Sequence, residues 1–376
     1  MMRKPFSVAR LRAMSKKEII QLRRDKRSLA LAFLLPFMLL LLFSYALTTD
    51  VENIQTAVLD RDRTPESRAL VAAFARSGYF DVRHTASRED ELSDLIDRGV
   101  VRVAVVIPER FAADLAAHRT APVELLLDGS DAKTATVARG YADGIARSYS
   151  MRALVSVRDI QPPLRAESRV WYNETLDSKV MVVPGLIAVI MSIIAAMLTS
   201  LTIAREWERG TMEQLAATPV SRVEVILGKL LPYLVIGLID VTIAMIVGIF
   251  VFDVPFRGSM LLFAGTTTIF LFGVLGLGIL ISSALKSQLL ATQAAIFATY
   301  MPALLLSGFM FTISNMPTFL QLVSRVVPAS YFVTLSRGVF LKGSGPVVLW
   351  PAILGLTVYA MFTVMMSIKK FRKELA

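Results

Sequence analysis

The sequence contains no cysteine and only two histidines, and this scarcity excludes several kinds of site. Without cysteine the chain forms neither a disulfide nor a thiolate metal centre. His84 and His118 lack the spacing of metal ligands, so no metal site is predicted. The phosphate loop Gly-x-x-x-x-Gly-Lys-[Ser/Thr], the Gly-x-Ser-x-Gly motif and the Gly-x-Gly-x-x-Gly motif are also absent. We therefore expect no enzymatic site, no ATP binding and no cofactor in this chain.

Apolar residues are plentiful, at 55% of the 376 residues, and the mean hydropathy is +0.58. They are concentrated in long runs, and about 20 apolar residues are enough for a helix to cross a bilayer. The first run follows a basic stretch, as in a signal peptide, but its length and the lack of a small-residue cleavage site indicate a retained anchor. We predict a membrane all-α protein with six transmembrane helices, at Ser28–Leu47, Val180–Ala204, Leu230–Phe252, Gly258–Leu285, Leu289–Phe311 and Val347–Ile368.

The net charge of +11 is concentrated at the two ends of the chain. Residues 1–27 and the tail 369–376 are rich in lysine and arginine, and each adjoins a predicted span. Such clusters lie on the cytoplasmic side of membranes, so we expect both termini in the cytoplasm and no nucleic-acid partner. Within residues 1–27, Ser15-Lys16-Lys17-Glu18 has the form of a capping box. It predicts a short amphipathic helix that starts there and lies on the cytoplasmic membrane surface.

One long segment between the first and second spans is predicted to be a separate domain. Residues 48–179 alternate β-branched runs with helical stretches, which indicates an inserted α/β domain. Predicted strands lie at Thr56–Leu59, Val101–Ile107 and Val123–Leu127, and Pro162-Pro163 marks the linker back to the membrane. With the N-terminus inside, this domain is expected outside, in the periplasm if the cell has one.

The loop 205–222, between the second and third spans of region 180–368, is the longest internal cytoplasmic segment. Glu206 and Glu213 stand three residues before and four residues after Arg209, so a helix would pair opposite charges. Gly210 permits a turn, and capping boxes are predicted at Thr211–Gln214 and Ser221–Glu224. The pattern predicts a compact helical hairpin. On the residues alone, a well-capped surface loop without a partner explains it equally well.

This loop resembles the signature of type-2 ABC exporter permeases, in which Glu-x-Glu-x-Gly-Thr-x-Glu is followed by Thr-Pro and Gly-Lys. The matching residues here are Glu206, Glu208, Gly210, Thr211, Glu213, Thr218, Pro219, Gly228 and Lys229. The layout of a basic N-terminal segment, one span, a large external domain and five spans is similar too. So are the turn Leu126–Asp131 and the external stretches around Leu306–Phe309, Asn315–Pro317 and Pro328. The likeness covers nearly the whole chain and is greatest to multidrug exporter permeases of Gram-negative bacteria.

The resemblance implies a permease of the bacterial inner membrane that works as a dimer, with itself or with a sister subunit. Two copies of an ABC ATP-binding subunit would dock on the cytoplasmic loops and hydrolyse ATP. Coupling to them is expected at Glu206, Trp207, Glu208, Gly210, Thr211 and Glu213. In the external region 312–346, short re-entrant helices would form a gate, for which Gly308, Pro317 and Pro328 are the candidate residues; a loose external loop is the alternative.

Two other functions remain open on the sequence. An ion-driven secondary transporter needs ionisable groups at membrane depth, and Asp240 is the one carboxylate well inside a predicted span. A membrane-anchored receptor would sense through residues 48–179 and would not need a capped cytoplasmic hairpin. Spans with scattered Phe and Met suit a hydrophobic or amphipathic substrate, although the same residues face lipid in any membrane protein. Neither the substrate nor the choice between homodimer and heterodimer follows from the sequence.

Overall fold

The computed structural model describes residues 6–46, 53–117, 119–130, 132–158, 172 and 178–371. The chain forms two compact units, Met1–Thr48 with Val170–Ala376, and Thr49–Arg169. The elements in chain order are helices α1 (Val8–Arg24) and α2 (Lys26–Ala46); then β1 (Ile54–Asp60), α3 (Pro65–Ala75), β2 (Phe80–Thr85), α4 (Glu89–Asp97), β3 (Val103–Ile107), α5 (Phe111–Ala116), β4 (Glu124–Leu127) and α6 (Ala132–Arg158); then α7 (Ser178–Glu208), α8 (Met212–Ala217), α9 (Arg222–Phe250), α10 (Met260–Leu285), α11 (Gln288–Leu306), α12 (Thr318–Ser324), α13 (Pro328–Arg337) and α14 (Pro346–Lys370).

Five helices of the described residues are long and apolar enough to cross a membrane: α7, α9, α10, α11 and α14. They coincide with five of the predicted runs, and the prediction of a mostly helical membrane protein is confirmed. The predicted first span falls on α2, whose apolar part, Ala32–Ala46, is shorter than these five helices. Helix α12 and the helix that begins at Pro328 meet at an angle of 81°, as in a broken span or a re-entrant loop.

Helix α7 lies at the centre of the helical unit and packs against α2, α9, α10, α11 and α13. Small residues bring α10 close to it: a Cβ added at Gly278 would lie 2.5 Å from the carbonyl oxygen of Ala196. The Thr199 hydroxyl donates a hydrogen bond to the Leu275 carbonyl at 3.0 Å, and the Ser282 hydroxyl accepts from the backbone N–H groups of Ile203 and Ala204. Close contact and interhelical hydrogen bonds replace the hydrophobic effect, which is weak between helices in lipid.

Helix α1 starts earlier than its sequence predicts. Its N-cap is Ser7, so the predicted start at Ser15 is wrong. The reason is tertiary: the backbone N–H of Ser7 donates to Glu224 Oε1 at 2.7 Å, which anchors the first turn on α9. Met14, Glu18 and Leu22 form the buried face of α1. The cap expected at Ser15 is therefore a mid-helix residue, and its buried hydroxyl makes no hydrogen bond within the described part of the chain.

The second unit contains a four-stranded sheet in the order β2-β1-β3-β4. Strand β1 pairs parallel with β2 and β3, and β4 pairs antiparallel with β3. Strands β1, β3 and β4 overlap the three predicted strands, whereas β2 is absent from the prediction. Its residues, Phe80-Asp81-Val82-Arg83-His84-Thr85, lie at a sheet edge and only Phe80 is buried, so the apolar signal is weak. The Pro162-Pro163 linker and His118 lie outside the described residues.

Helix α1 crosses α9 at Gly228, and this crossing gives a first prediction. A Cβ added at Gly228 would lie 2.7 Å from Cβ of Met14, so Gly228→Ala must push α1 away from α9. We expect a loss of about 1–3 kcal/mol, the usual cost of overpacking, measured as thermal unfolding of the detergent-purified protein. Gly265→Ala in α10 is the control, because nothing lies within 4 Å of its added Cβ. Equal stability of the two variants would contradict the close crossing.

Candidate functional site

The predicted hairpin forms between α7 and α9. Helix α7 runs to Glu208, and Gly210 adopts a left-handed φ of +67°, so the chain turns into the short helix α8. A left-handed backbone strains any residue with a side chain, which explains glycine here. Ser221 and Glu224 make the predicted capping box at the start of α9. The cap predicted at Thr211 is not made, and its hydroxyl lies 3.4 Å from the Glu206 carbonyl instead.

The residues predicted for coupling divide into buried and exposed groups. Glu206 is only 2% exposed, and its carboxylate faces the ammonium groups of Lys17 and Lys229. This corrects the expectation from the motif, in which Glu206 offers a charge at the loop surface. Glu208 accepts hydrogen bonds from the Gln288 backbone N–H and side chain, and Trp207 lies under the Lys286 ammonium, 4.2 Å from the ring centroid. Gly210 and Glu213 are exposed.

A cluster of four charges, three of them buried, joins α1, α7 and α9. Lys229 is 1% exposed, and its ammonium lies 2.7 Å from Glu18 Oε1 of α1 and 3.1 Å from Glu206 Oε1 of α7. Lys17, which is half-exposed, donates to the same Glu206 oxygen at 2.6 Å. Two carboxylates and two ammonium groups balance, as a buried ionic group requires. Glu206 Oε2 is buried and makes no hydrogen bond within the described residues.

Two further ion pairs flank this cluster. The Arg10 guanidinium binds Glu224 through Nε and Nη2, with Nη2 at 2.8 Å from Oε1, and the hydrogen bond raises the pKa of Arg10. Arg205 Nη1 lies 2.8 Å from Asp25 Oδ2, which joins the end of α7 to the residue between α1 and α2. The first pair joins α1 to the start of α9, and the second joins the residue after α1 to the end of α7. The hairpin and α1 therefore form one ionically crosslinked layer.

A groove of about 450 Å³ opens between α1 and the hairpin. Met14 and Leu215 contribute apolar walls, while Arg10, Lys17 and Arg209 bring basic groups to its edge. Gln214 and Thr218 of the hairpin add polar groups that can accept or donate hydrogen bonds. The groove therefore combines apolar, basic and polar groups on one surface beside the hairpin.

Sequence reasoning missed Glu18 and Lys229 as members of a site. Glu18 was interpreted as a helix cap, and Lys229 only as part of a family motif. A signal for both was present. A lysine at the start of an apolar span needs a counter-charge, and Met14, Glu18 and Leu22 repeat at helical spacing on one face of α1.

The remaining predicted residues lie elsewhere in the helical unit. Asp240 of α9 is 4% exposed and forms no ion pair within the described part of the chain. Gly308 has a left-handed φ of +80° in the turn after α11, Pro317 is the N-cap of α12, and Pro328 begins α13. These positions agree with an interrupted, bent segment.

Arg337, which the sequence did not single out, holds the turn that contains Gly308. Its guanidinium donates hydrogen bonds to three carbonyl groups, those of Met181 at 3.3 Å, Gly308 at 3.0 Å and Phe309 at 3.2 Å. A Cβ added at Gly185 would lie 2.6 Å from the Phe309 ring, so this turn packs tightly against α7. The turn after α11 is therefore fixed to the start of α7 by one side chain.

Comparison with known proteins gives matches along nearly the full chain. A model of the ABC-2 family of transporter proteins matches residues 26–369. The chain is 36% identical over 98% of its length to the "Probable multidrug ABC transporter permease YbhS" of Escherichia coli K12, and it covers 98% of that protein. It is 32% identical over 97% of its length to the "Probable multidrug ABC transporter permease YbhR", covering 99% of it. The "Inner membrane transport permease YhhJ" of the same organism is 27% identical over 85% of both chains.

The buried cluster predicts how its members respond to substitution. Lys229→Met alone leaves Glu18 and Glu206 without their shared counter-charge, and we expect a loss of roughly 3–5 kcal/mol. Lys229→Met combined with Glu18→Gln removes one charge of each sign and should recover much of that loss. Thermal unfolding of the purified variants measures both. The control is Arg98→Met, which breaks the exposed ion pair of Arg98 with Asp94 and should cost less than about 1 kcal/mol. A stable single variant, or a double variant with no recovery, would contradict the cluster.

Proposed function

The chain belongs to the ABC-2 family of transporter proteins, and from this membership we propose that it is the permease subunit of an ATP-driven exporter whose ATPase is a separate polypeptide. The observation that carries the proposal is the hairpin itself. Its exposed tip is joined by buried charges to two spans and to α1, so a force applied at the tip reaches the spans without first bending a loose loop. An ATPase subunit needs such a rigid contact to move spans. The absence of a phosphate loop in this chain agrees with ATP hydrolysis by a partner.

The complex has, in this proposal, two permease chains and two ABC ATP-binding subunits. Exposed apolar side chains support a second permease, because several large ones on α2 and α11 are uncovered by this chain. They include Phe37, Met38, Phe297 and Met301, exposed by 39%, 56%, 67% and 49%. Lipid covers such faces in a lone permease, and a second copy or a sister subunit covers part of them in a dimer.

The proposed topology has both termini in the cytoplasm and residues 48–179, which include the sheet unit, outside. The basic ends of the chain support it through the positive-inside rule. Helix α1 and the hairpin 205–222 then lie on the side where ATP is available. The interrupted region 312–346 lies on the outer side, where the bend at Pro328 and the turn held by Arg337 suit a gate.

The proposed substrate is hydrophobic or amphipathic, and it leaves the cell across the inner membrane. A groove of about 230 Å³ between α2, α7 and α11 supports this, because its walls are almost wholly apolar, including Phe43, Ile193 and Tyr300. The names of the relatives that are 36% and 32% identical refer to multidrug transport, which fits the same chemistry. Asp240 is proposed to have a structural role within the bundle. An ion-driven transporter would instead require its charge.

The direct test of the proposal is reconstitution with an ATPase partner. The permease, co-expressed with its ABC ATP-binding subunit, should copurify with that subunit and form a complex that hydrolyses ATP. The permease alone should not hydrolyse ATP. Purification of a stable permease that retains no ATPase subunit would contradict the proposal.

The exposed tip of the hairpin should couple ATP hydrolysis to transport. Gly210→Leu adds side-chain bulk and backbone strain at the tip, and Glu213→Arg reverses an exposed charge. We expect both to lose substrate-stimulated ATPase activity, on the order of tenfold or more, while the protein still accumulates. Gly99→Leu is a matched control, since Gly99 has the same φ of +67° and the same open surroundings in the sheet unit. Glu109→Arg controls for the exposed charge. Normal export by both tip variants would contradict the coupling role and would indicate that the hairpin is a surface loop without a partner.

A further inference from the structure

Five of the six basic residues of α1 divide into two sets with different environments. Arg10 and Lys17 point towards the groove, and each is bound to a glutamate of another helix. Arg12, Lys16 and Arg23 are exposed, and none of the three has a carboxylate partner within the described residues. Charges that only kept the protein soluble would not need this division. The second set is called the basic face from here on.

The basic face is amphipathic in its own right. At 3.6 residues per turn, Arg12, Lys16 and Arg23 fall with Val8 and Ile19 within an arc of roughly 80°. Val8 is 70% exposed and Ile19 is 46% exposed. On the same helical wheel, Arg10 and Lys17 fall on the opposite flank, which lines the groove beside the hairpin. Helix α1 thus offers one flank to the hairpin and the other, apolar and cationic together, to its surroundings.

Contacts with α9 fix both the position and the rotation of this helix. The crossing at Gly228 and the buried contact of Glu18 with Lys229 allow one rotational setting of α1 on α9. Only Asp25 separates the end of α1 from the start of α2. A helix held in this way at the ends of two apolar helices lies at the level of lipid headgroups. It cannot turn its basic face away.

We infer that the basic face of α1 binds anionic phospholipid headgroups of the cytoplasmic leaflet. Guanidinium and ammonium groups pair with phosphate oxygens, while Val8 and Ile19 enter the boundary between headgroups and acyl chains. Each basic side chain near an anionic membrane surface contributes about 1 kcal/mol, which corresponds to roughly fivefold in affinity. The inference rests on the proposed topology, which puts α1 on the cytoplasmic side. It does not need transport or ATP hydrolysis.

The test uses the full-length permease, purified in a neutral detergent without an ATPase subunit. Phosphatidylglycerol is titrated in, and phosphatidylcholine serves as the neutral lipid. Binding is followed by the rise in unfolding temperature. We expect the wild-type protein to prefer phosphatidylglycerol and to lose that preference as salt is raised. Substitution of the three residues of the basic face by Gln should weaken apparent binding of phosphatidylglycerol by about fivefold for each charge, on the order of a hundredfold in total.

A matched control removes the same charge elsewhere. Three exposed arginines of the sheet unit, replaced together by Gln, should leave the affinity for phosphatidylglycerol unchanged: Arg76, Arg139 and Arg147. Wild-type affinity in the basic-face variant would overturn the inference. Normal lipid binding by the basic-face variant, together with its failure to copurify with the ATPase subunit, would also overturn the inference, because the basic face would then bind the ATPase subunit. Failure of the exporter proposal alone would leave the lipid titration as expected.

Discussion

The contact of the Lys229 ammonium group with two carboxylates is the interaction on which the hairpin end of the helical unit depends. A fully buried charge is tolerated only when its partners stay in place, since each unpaired ion costs several kcal/mol. Glu18 comes from α1 and Glu206 from α7, so neither helix can leave α9 without exposing or stranding a charge. The requirement for charge balance therefore makes one mechanical body out of three elements that are distant in sequence. Because the hairpin connects α7 to α9, the same charge cluster makes the hairpin rigid.

Close packing at small residues makes that charge cluster possible. Gly228 lets α1 approach α9 closely enough for Glu18 to reach Lys229. Gly278 likewise allows close contact between α10 and α7 further along the bundle. At the other end of α7, Arg337 and Gly185 hold the turn after α11. Helix α7 is thus restrained at both ends, by ions at one end and by an arginine bound to carbonyl groups at the other. A single continuous helix therefore connects the hairpin to the far turn.

The sequence predicted what periodicity and local chemistry determine. Apolar runs located five spans, the Ser221–Glu224 spacing located a true capping box, and Gly210 located a left-handed turn. The errors come from contacts between distant residues. Ser15 has the sequence pattern of a helix cap, but Glu224 binds the backbone of Ser7, and the helix starts there. Glu206 has the pattern of a surface charge, but it is buried beside Lys229, which also binds Glu18. Strand β2 was not predicted, because a half-exposed edge strand has few apolar residues.

The proposed coupling requires α1, α7 and α9 to move together when the ATPase subunits act. The chain has no cysteine, so labels placed at Ile20→Cys on α1 and Val223→Cys on α9 are unique, and both positions are exposed. Pulsed electron–electron distance measurements on the complex with its ATPase subunits compare the nucleotide-free and ATP-bound states. We expect the distance between the two labels within one permease chain to have a narrow distribution with the same mean in both states. A broad distribution, or a mean that shifts on ATP binding, would show that α1 moves independently of α9 and would contradict the proposed coupling.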